Sequence, residues 1–491
     1  MENTVAMDRT SSNQVVHSLI WAAIRIWGNR LGGLVIFFVL ARLLTPEAFG
    51  IYASLWALLL FLEVFAELGL GDALIQTRVV EQKQLNTAFF TSLMIGVGLY
   101  IGVWCLAPWF SRQMGNEEIT LPLRIAALGL LLNASGYCQL ALYRRNFAYQ
   151  WLAVRTLVAT VISGLVGIVL AVLGASYWAL VAQFVVNTLI GTIMLWIKPQ
   201  WVPTLSFSFA TLRPLLPYSI RLTVGRILDN SALRLFEIGI GFFLGPLALG
   251  IYSVGSRIIS VGMQMFSNVM LDVTHATMSR FSHDLPRLRN AFIVGLRTSA
   301  TIAMPAFVLV SALAVEICTT IFGPQWTDSA PVLHAIAILA AVQVVQYMNG
   351  GVLNALGLAE KTMVASIVKG VFALAALIFF HPQGIFTLAV AFAVSQLLVT
   401  PLSFYFSWKA IAWDFPSVSR AVLPPAVAAG LSYLSIWVLR PLLPWEGGLT
   451  RLLCLALTGV AVYLAAMLIL APGHISTLTQ SIRNLKKGEK E

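Results

Sequence analysis

Ten of the chain's 31 lysines and arginines fall inside stretches that are otherwise apolar enough to cross a bilayer: Arg25, Arg30, Arg124, Arg155, Arg221, Arg226, Arg234, Arg257, Arg297 and Lys369. A cation at the centre of a span costs about 2.5–3.5 kcal/mol on insertion scales, so such residues normally face a cavity or a partner. Arg124, Arg155 and Arg221 lie within a turn or two of a span end and can snorkel to the interface. Arg25, Arg30, Arg226, Arg234 and Arg257 are deeper. Guanidinium groups present a fork of donors matched to phosphate or carboxylate oxygens. The chemistry they point to is recognition of an anion within the membrane. Arg226, Asn230, Arg234 and Glu237 fall within about 80° on a helical wheel, with Asp229 beside them, and form a polar stripe on one helix. Arg226–Asp229 and Arg234–Glu237 are also spaced for intrahelical ion pairs, which would make the stripe structural. Glu63 and Glu67, four apart, share one helix face. Two readings stay open there: an ion pair with Arg25, or a carboxylate whose proton or sodium ion is coupled to opening of a cavity.

The elements that position these groups are spanning helices. Hydrophobic residues are 59% of 491 residues and charged residues 10%, with a mean hydropathy of +0.85; soluble domains carry about 25% charged residues. Fourteen spans are expected, near 15–41, 48–71, 87–110, 120–143, 151–174, 177–197, 217–242, 247–272, 291–317, 331–356, 361–380, 384–408, 420–439 and 449–471. The fold class is therefore an all-α polytopic membrane protein. With the N-terminus inside, the inner connections hold seventeen lysines and arginines and the outer ones four. This bias predicts cytoplasmic N- and C-termini and accounts for most of the net charge of +11 without nucleic acid. The four cysteines and six histidines are scattered, with no metal-ligand spacing, and neither a cofactor nor a metal is expected.

The chain also repeats. Pro46-Glu47-Ala48-Phe49-Gly50-Ile51-Tyr52 returns as Pro246-Leu247-Ala248-Leu249-Gly250-Ile251-Tyr252, and Arg25-Ile26 with Asn29 returns as Arg226-Ile227 with Asn230. A fainter echo links Ala141-Leu142 and Arg155 to Ala355-Leu356 and Lys369, placing both cations near the cytoplasmic ends of equivalent helices. Two apolar copies of a half are the pattern of a transporter with a pseudo-symmetric central cavity. The expected organisation is an N-terminal six-helix lobe at 1–197, a cytoplasmic linker at 198–216, a second six-helix lobe at 217–408, and two further helices with a basic tail at 409–491. Loops 198–216 and 273–290 have the composition of interfacial amphipathic segments. Pro305 and Pro424-Pro425 predict kinks. Asn133 begins a formal glycosylation sequon but sits in a span, where a buried polar contact or a cavity position is expected.

The stretch from Phe38 through Arg42, Pro46 and Gly50 to Tyr52, and its counterpart from Asp229-Asn230 through Gly245-Pro246 to Arg257, resemble the polysaccharide transporter family. That family includes O-antigen and exopolysaccharide flippases, colanic-acid-exporter-like members among them. Its superfamily also contains multidrug extruders and lipid II flippases. The resemblance implies two lobes that alternate access while moving an undecaprenyl-pyrophosphate-linked oligosaccharide across the bacterial inner membrane. Arg30-Leu31-Gly32-Gly33 is similar to the first-helix Arg-x-x-Gly element that lines the cationic cavity of lipid II flippases. The expected substrate cavity comprises Arg25, Arg30, Arg226, Arg234, Arg257 and Asn230, and the candidates for coupling or ion pairing are Glu63, Glu67, Asp229 and Glu237. A proton or sodium ion is the expected coupling ion, and polysaccharide polymerase and chain-length proteins are candidate partners. The alternative is a cation-coupled multidrug or small-solute antiporter. An enzyme is not expected, because the short outer connections hold no nucleophile–base constellation.

Overall fold

Within lipid, every backbone N–H and C=O must find its partner inside the chain, so apolar runs of about 20 residues close as helices. The computed structural model describes residues 12–77, 80–214, 216–281, 283–443 and 448–473. Nothing is said of the side chains at 12–27, 218, 221, 222, 225, 226, 228–232, 268–277, 279 and 280. Eighteen α-helices run through the described residues. They are α1 (Ser12–Leu43), α2 (Pro46–Glu67), α3 (Leu70–Gln76), α4 (Gln82–Gln113), α5 (Thr120–Ala126), α6 (Leu128–Arg145), α7 (Tyr149–Val172), α8 (Tyr177–Ile197) and α9 (Phe209–Leu212). There follow α10 (Leu216–Arg280), α11 (Leu285–Ala312), α12 (Ala314–Ile317), α13 (Ala330–Ala355), α14 (Ala359–Phe380), α15 (Ile385–Leu398), α16 (Thr400–Ile411), α17 (Phe415–Leu439) and α18 (Leu449–Leu470).

Twelve helical stretches among the described residues are long and apolar enough to cross a membrane, against fourteen expected. One of them, Leu233–Ser267, covers two expected spans, because α10 runs on through a single non-helical residue, Gly245. Glycine is required there: φ is 84° and ψ 172°, which a side chain resists. Pro246 then restarts the helix with no N–H to satisfy. The first copy of the turn breaks differently: Thr45 accepts from the Ala48 N–H at 3.4 Å and Pro46 opens α2. Helices α11 and α17 each run as one helix through Pro305 and through Pro424-Pro425.

The chain divides into two units, Met1–Gly250 and Ile251–Glu491. In the first, α7 packs on α1 and α8, and α6 lies against α3, α4 and α8. Arg145, buried at the end of α6, donates to the carbonyls of Leu74, Ile75 and Thr77 and so closes the end of α3. The first copy of the repeated turn and Pro246–Gly250 of the second belong to this unit, and they interlock. A Cβ on Gly50 would overlap the Pro246 carbonyl, and one on Gly250 would overlap the Pro46 carbonyl. In the second unit, α11 packs on α13 and α17, α17 on α18, and α13 on α15 and α16.

Residues 198–208 are docked rather than adrift. Gln139 donates to the Trp201 carbonyl (2.5 Å) and accepts from the Gln200 N–H (3.0 Å), while Asn86 bonds both Thr204 Oγ1 (2.6 Å) and the Thr204 N–H (3.1 Å). Trp201 is buried among Phe89 and its neighbours, while Val202, Leu205, Phe207 and Phe209 stay exposed. The strap thus combines a polar inner edge with an apolar outer one.

Candidate functional site

The described cations inside spans meet three different fates. Arg124 on α5 donates to the Trp104 carbonyl (3.1 Å) and lies over the Trp104 ring at 4.6 Å. Arg155 on α7 donates to the Gly191 carbonyl on α8 at 2.6 Å. Both are held by the bundle itself. Arg234 pairs with Glu237 at 2.6 Å, one turn further along α10, with side-chain exposures of 28% and 20%. That is the intrahelical pair that the spacing allowed, so a share of the cation's charge is matched within its own helix. Arg30 on α1 is half-buried and Arg257 on α10 is exposed. The side chains of Arg25, Arg226, Asp229 and Asn230 lie outside the described residues.

Glu63 on α2 finds a partner that sequence spacing did not indicate. Asn133 Nδ2, on α6, donates to Glu63 Oε1 at 2.8 Å. The sequon asparagine is therefore a half-buried polar contact, oriented by the carboxylate it serves. Glu67 lies one turn further on the same helix, and both acids are half-buried. A carboxylate held by a neutral carboxamide keeps oxygen lone pairs available for a proton or a small cation.

In the second unit a polar cluster forms around Lys369. Lys369 falls at the middle of α14, not near an end, and its Nζ donates to Gln346 Oε1 on α13 at 2.9 Å. Gln346 in turn donates to Thr400 Oγ1, and Gln396 Nε2 donates to the Lys369 carbonyl at 3.0 Å. Gln343, Gln346, Tyr347 and Gly350 follow the i, i+3, i+4, i+7 spacing on α13; Thr362, Ala365, Ser366 and Lys369 follow it on α14. Both stripes line one cavity of about 260 Å³. The repeat of that spacing in two successive spans was the available signal, and it is carried by uncharged residues that a charge-based reading passes over.

A family model described as polysaccharide biosynthesis protein matches residues 39–331, more than half of the chain. The chain belongs to this family. Relatives of the family member described here include the succinoglycan biosynthesis transport protein ExoT of Rhizobium meliloti (strain 1021), 26% identical over 61% of this chain and 61% of ExoT. Another is the lipopolysaccharide biosynthesis protein WzxC of Escherichia coli (strain K12), 20% identical over 77% of this chain and 78% of WzxC. Among solved structures, the lipid II flippase MurJ in an inward closed conformation matches 93% of this chain and 100% of its own, with a TM-score of 0.75 and 14% identity. An inward-facing multidrug resistance transporter of the MATE family matches 80% of this chain and 98% of its own at TM-score 0.61, again with 14% identity. At such identities the structural matches speak for the fold alone: a polytopic helical architecture. The protein is a multi-pass membrane protein of the polysaccharide biosynthesis family.

Proposed function

We propose that the protein is a flippase that carries a polyprenyl-pyrophosphate-linked oligosaccharide across the bacterial inner membrane by alternating access. The observation that carries this reading is a family membership in polysaccharide biosynthesis joined to a fold that matches a lipid II flippase over nearly the full chain. The names of ExoT and WzxC support an exopolysaccharide or O-antigen repeat unit as the cargo. The carrier's pyrophosphate bears about two negative charges, for which charge-assisted arginine donors are suited. Arg30 is assigned that role, with Arg25, Arg226 and Arg257 sharing it. The cargo moves without any covalent bond being made or broken. N- and C-termini are cytoplasmic on the strength of the charge bias, and residues 198–216 link the two six-helix lobes. Glu63, with Asn133, is the candidate coupling group for a proton or sodium gradient, and a polymerase and a chain-length protein take over the cargo.

Arg30→Ala is expected to abolish surface polysaccharide and to leave the lipid-linked glycan accumulated on the inner leaflet, with the protein still in the membrane. Wild-type export by Arg30→Ala would remove the case for a cationic headgroup site. The MATE match favours a second reading, a cation-coupled antiporter of small solutes. It predicts instead that deletion leaves lipid-linked glycan at its usual level and alters resistance to organic cations.

A further inference from the structure

The cavity between α13, α14 and α16 lies apart in the sequence from the arginines assigned to the pyrophosphate, and it is built as a binding site. Lys369 lies ten residues, about 15 Å, from the start of α14, beyond the reach of a four-carbon side chain seeking the interface. Its ammonium rests on the Gln346 carboxamide oxygen, and no acidic residue is among those that line the cavity. Asn349 lines it too, is 1% exposed, and has neither Nδ2 nor Oδ1 in a hydrogen bond. A buried carboxamide left wholly unpaired costs about 1–3 kcal/mol for each missing partner. Both polar atoms of Asn349 are buried in the cavity wall.

The chemistry of the lining narrows the guest. Three carboxamides (Gln343, Gln346, Asn349) and the hydroxyls of Tyr347, Thr362, Ser366 and Ser403 both donate and accept, as sugar hydroxyls require. The one ammonium matches one negative charge. A cation has no carboxylate to meet here, and a pyrophosphate would find too few charged donors. At about 260 Å³ the cavity is below the roughly 300–1,000 Å³ of sites for drug-sized ligands, and has room for one ring rather than a repeat unit.

We infer that this cavity is a subsite for a single acidic monosaccharide of the transported glycan, with Lys369 facing its carboxylate and the hydroxyls of the lining facing its own. The inference rests on the flippase reading and names the kind of sugar the cargo carries. The ammonium of Lys369 would then select a uronate-containing repeat unit over a neutral one.

Purified full-length protein in lipid nanodiscs, titrated with methyl glucuronide, methyl glucoside and inorganic pyrophosphate, tests it by saturation-transfer NMR. The wild type is expected to bind the glucuronide about tenfold more tightly than the glucoside, the scale of a hydrogen bond to a charged group. Lys369→Gln should level the two. Gln346→Glu, isosteric and placed beside the ammonium, should remove the glucuronide preference in a protein that stays monodisperse, which guards against misfolding of Lys369→Gln. Equal binding of the two glycosides by the wild type, no binding of either, or a preference that survives in Lys369→Gln would each overturn the subsite. Pyrophosphate that displaces glucuronide from the wild type but not from Lys369→Gln would assign the cavity to the carrier's phosphates and overturn it as well. The flippase reading is scored separately by Arg30→Ala, and a flippase of neutral glycans would pass that test while failing this one.

Discussion

A single side chain inside a membrane has few neutral positions: it is matched, or it is exposed to a guest. Arg234 and Glu237 are matched to one another, so removing one partner should cost far more than removing both. Arg234→Leu is expected to destabilise the protein by about 3–5 kcal/mol by stranding Glu237, whereas Arg234→Leu with Glu237→Leu should return most of the lost thermal stability. Detergent-solubilised protein, followed by heat-induced aggregation, reads the difference. If the double variant also exports polysaccharide normally, the pair is a brace within α10. Glu63 is the opposite case, an acid held by an amide. Glu63→Gln keeps a hydrogen bond to Asn133 by a rotation of either amide and should leave the fold intact. Its export is expected to lose dependence on pH or sodium, and an unchanged profile would take Glu63 out of the coupling role.

At the scale of elements, the spanning helices were legible from the chain alone, because lipid enforces a long apolar run for each crossing. The turns were legible too, through Pro46, Pro246 and their glycines. What no spacing reveals is a partnership between distant helices. Asn133 and Glu63 are separated by 70 residues, and the strap contacts Asn86–Thr204 and Gln139–Trp201 by 118 and 62. Lys369 was visible as a charge, but its carboxamide neighbours on α13 look like ordinary polar residues until α14 is set against them. The strap gives a test at this scale. Asn86→Ala removes two bonds to Thr204 and one to Ser206 and should speed proteolytic cleavage within 198–208 by more than about tenfold, at about 1 kcal/mol per bond lost, with the spans left uncut. Cleavage at the wild-type rate would mean that the contacts of Gln200 and Trp201 anchor the strap.

For the whole molecule, the repeat in sequence predicted two similar halves, and the structure adds that the two copies of the turn touch. Gly50 and Gly250 lie within van der Waals reach of each other's helix start, with no room for a methyl group on either. Gly50→Ala and Gly250→Ala are each expected to destabilise by about 1–3 kcal/mol through overpacking, and the double variant to be far from additive because both insert into one contact. Melting curves of the three variants measure the coupling. The two positions are written 200 codons apart in one gene, yet neither can accept a heavier amino acid without meeting the other's backbone. Chimaeras that splice the front of this chain to the back of a distant relative should therefore express only where the donor supplies glycine at its own counterpart of position 250, a restriction on gene shuffling imposed by one square of bare peptide.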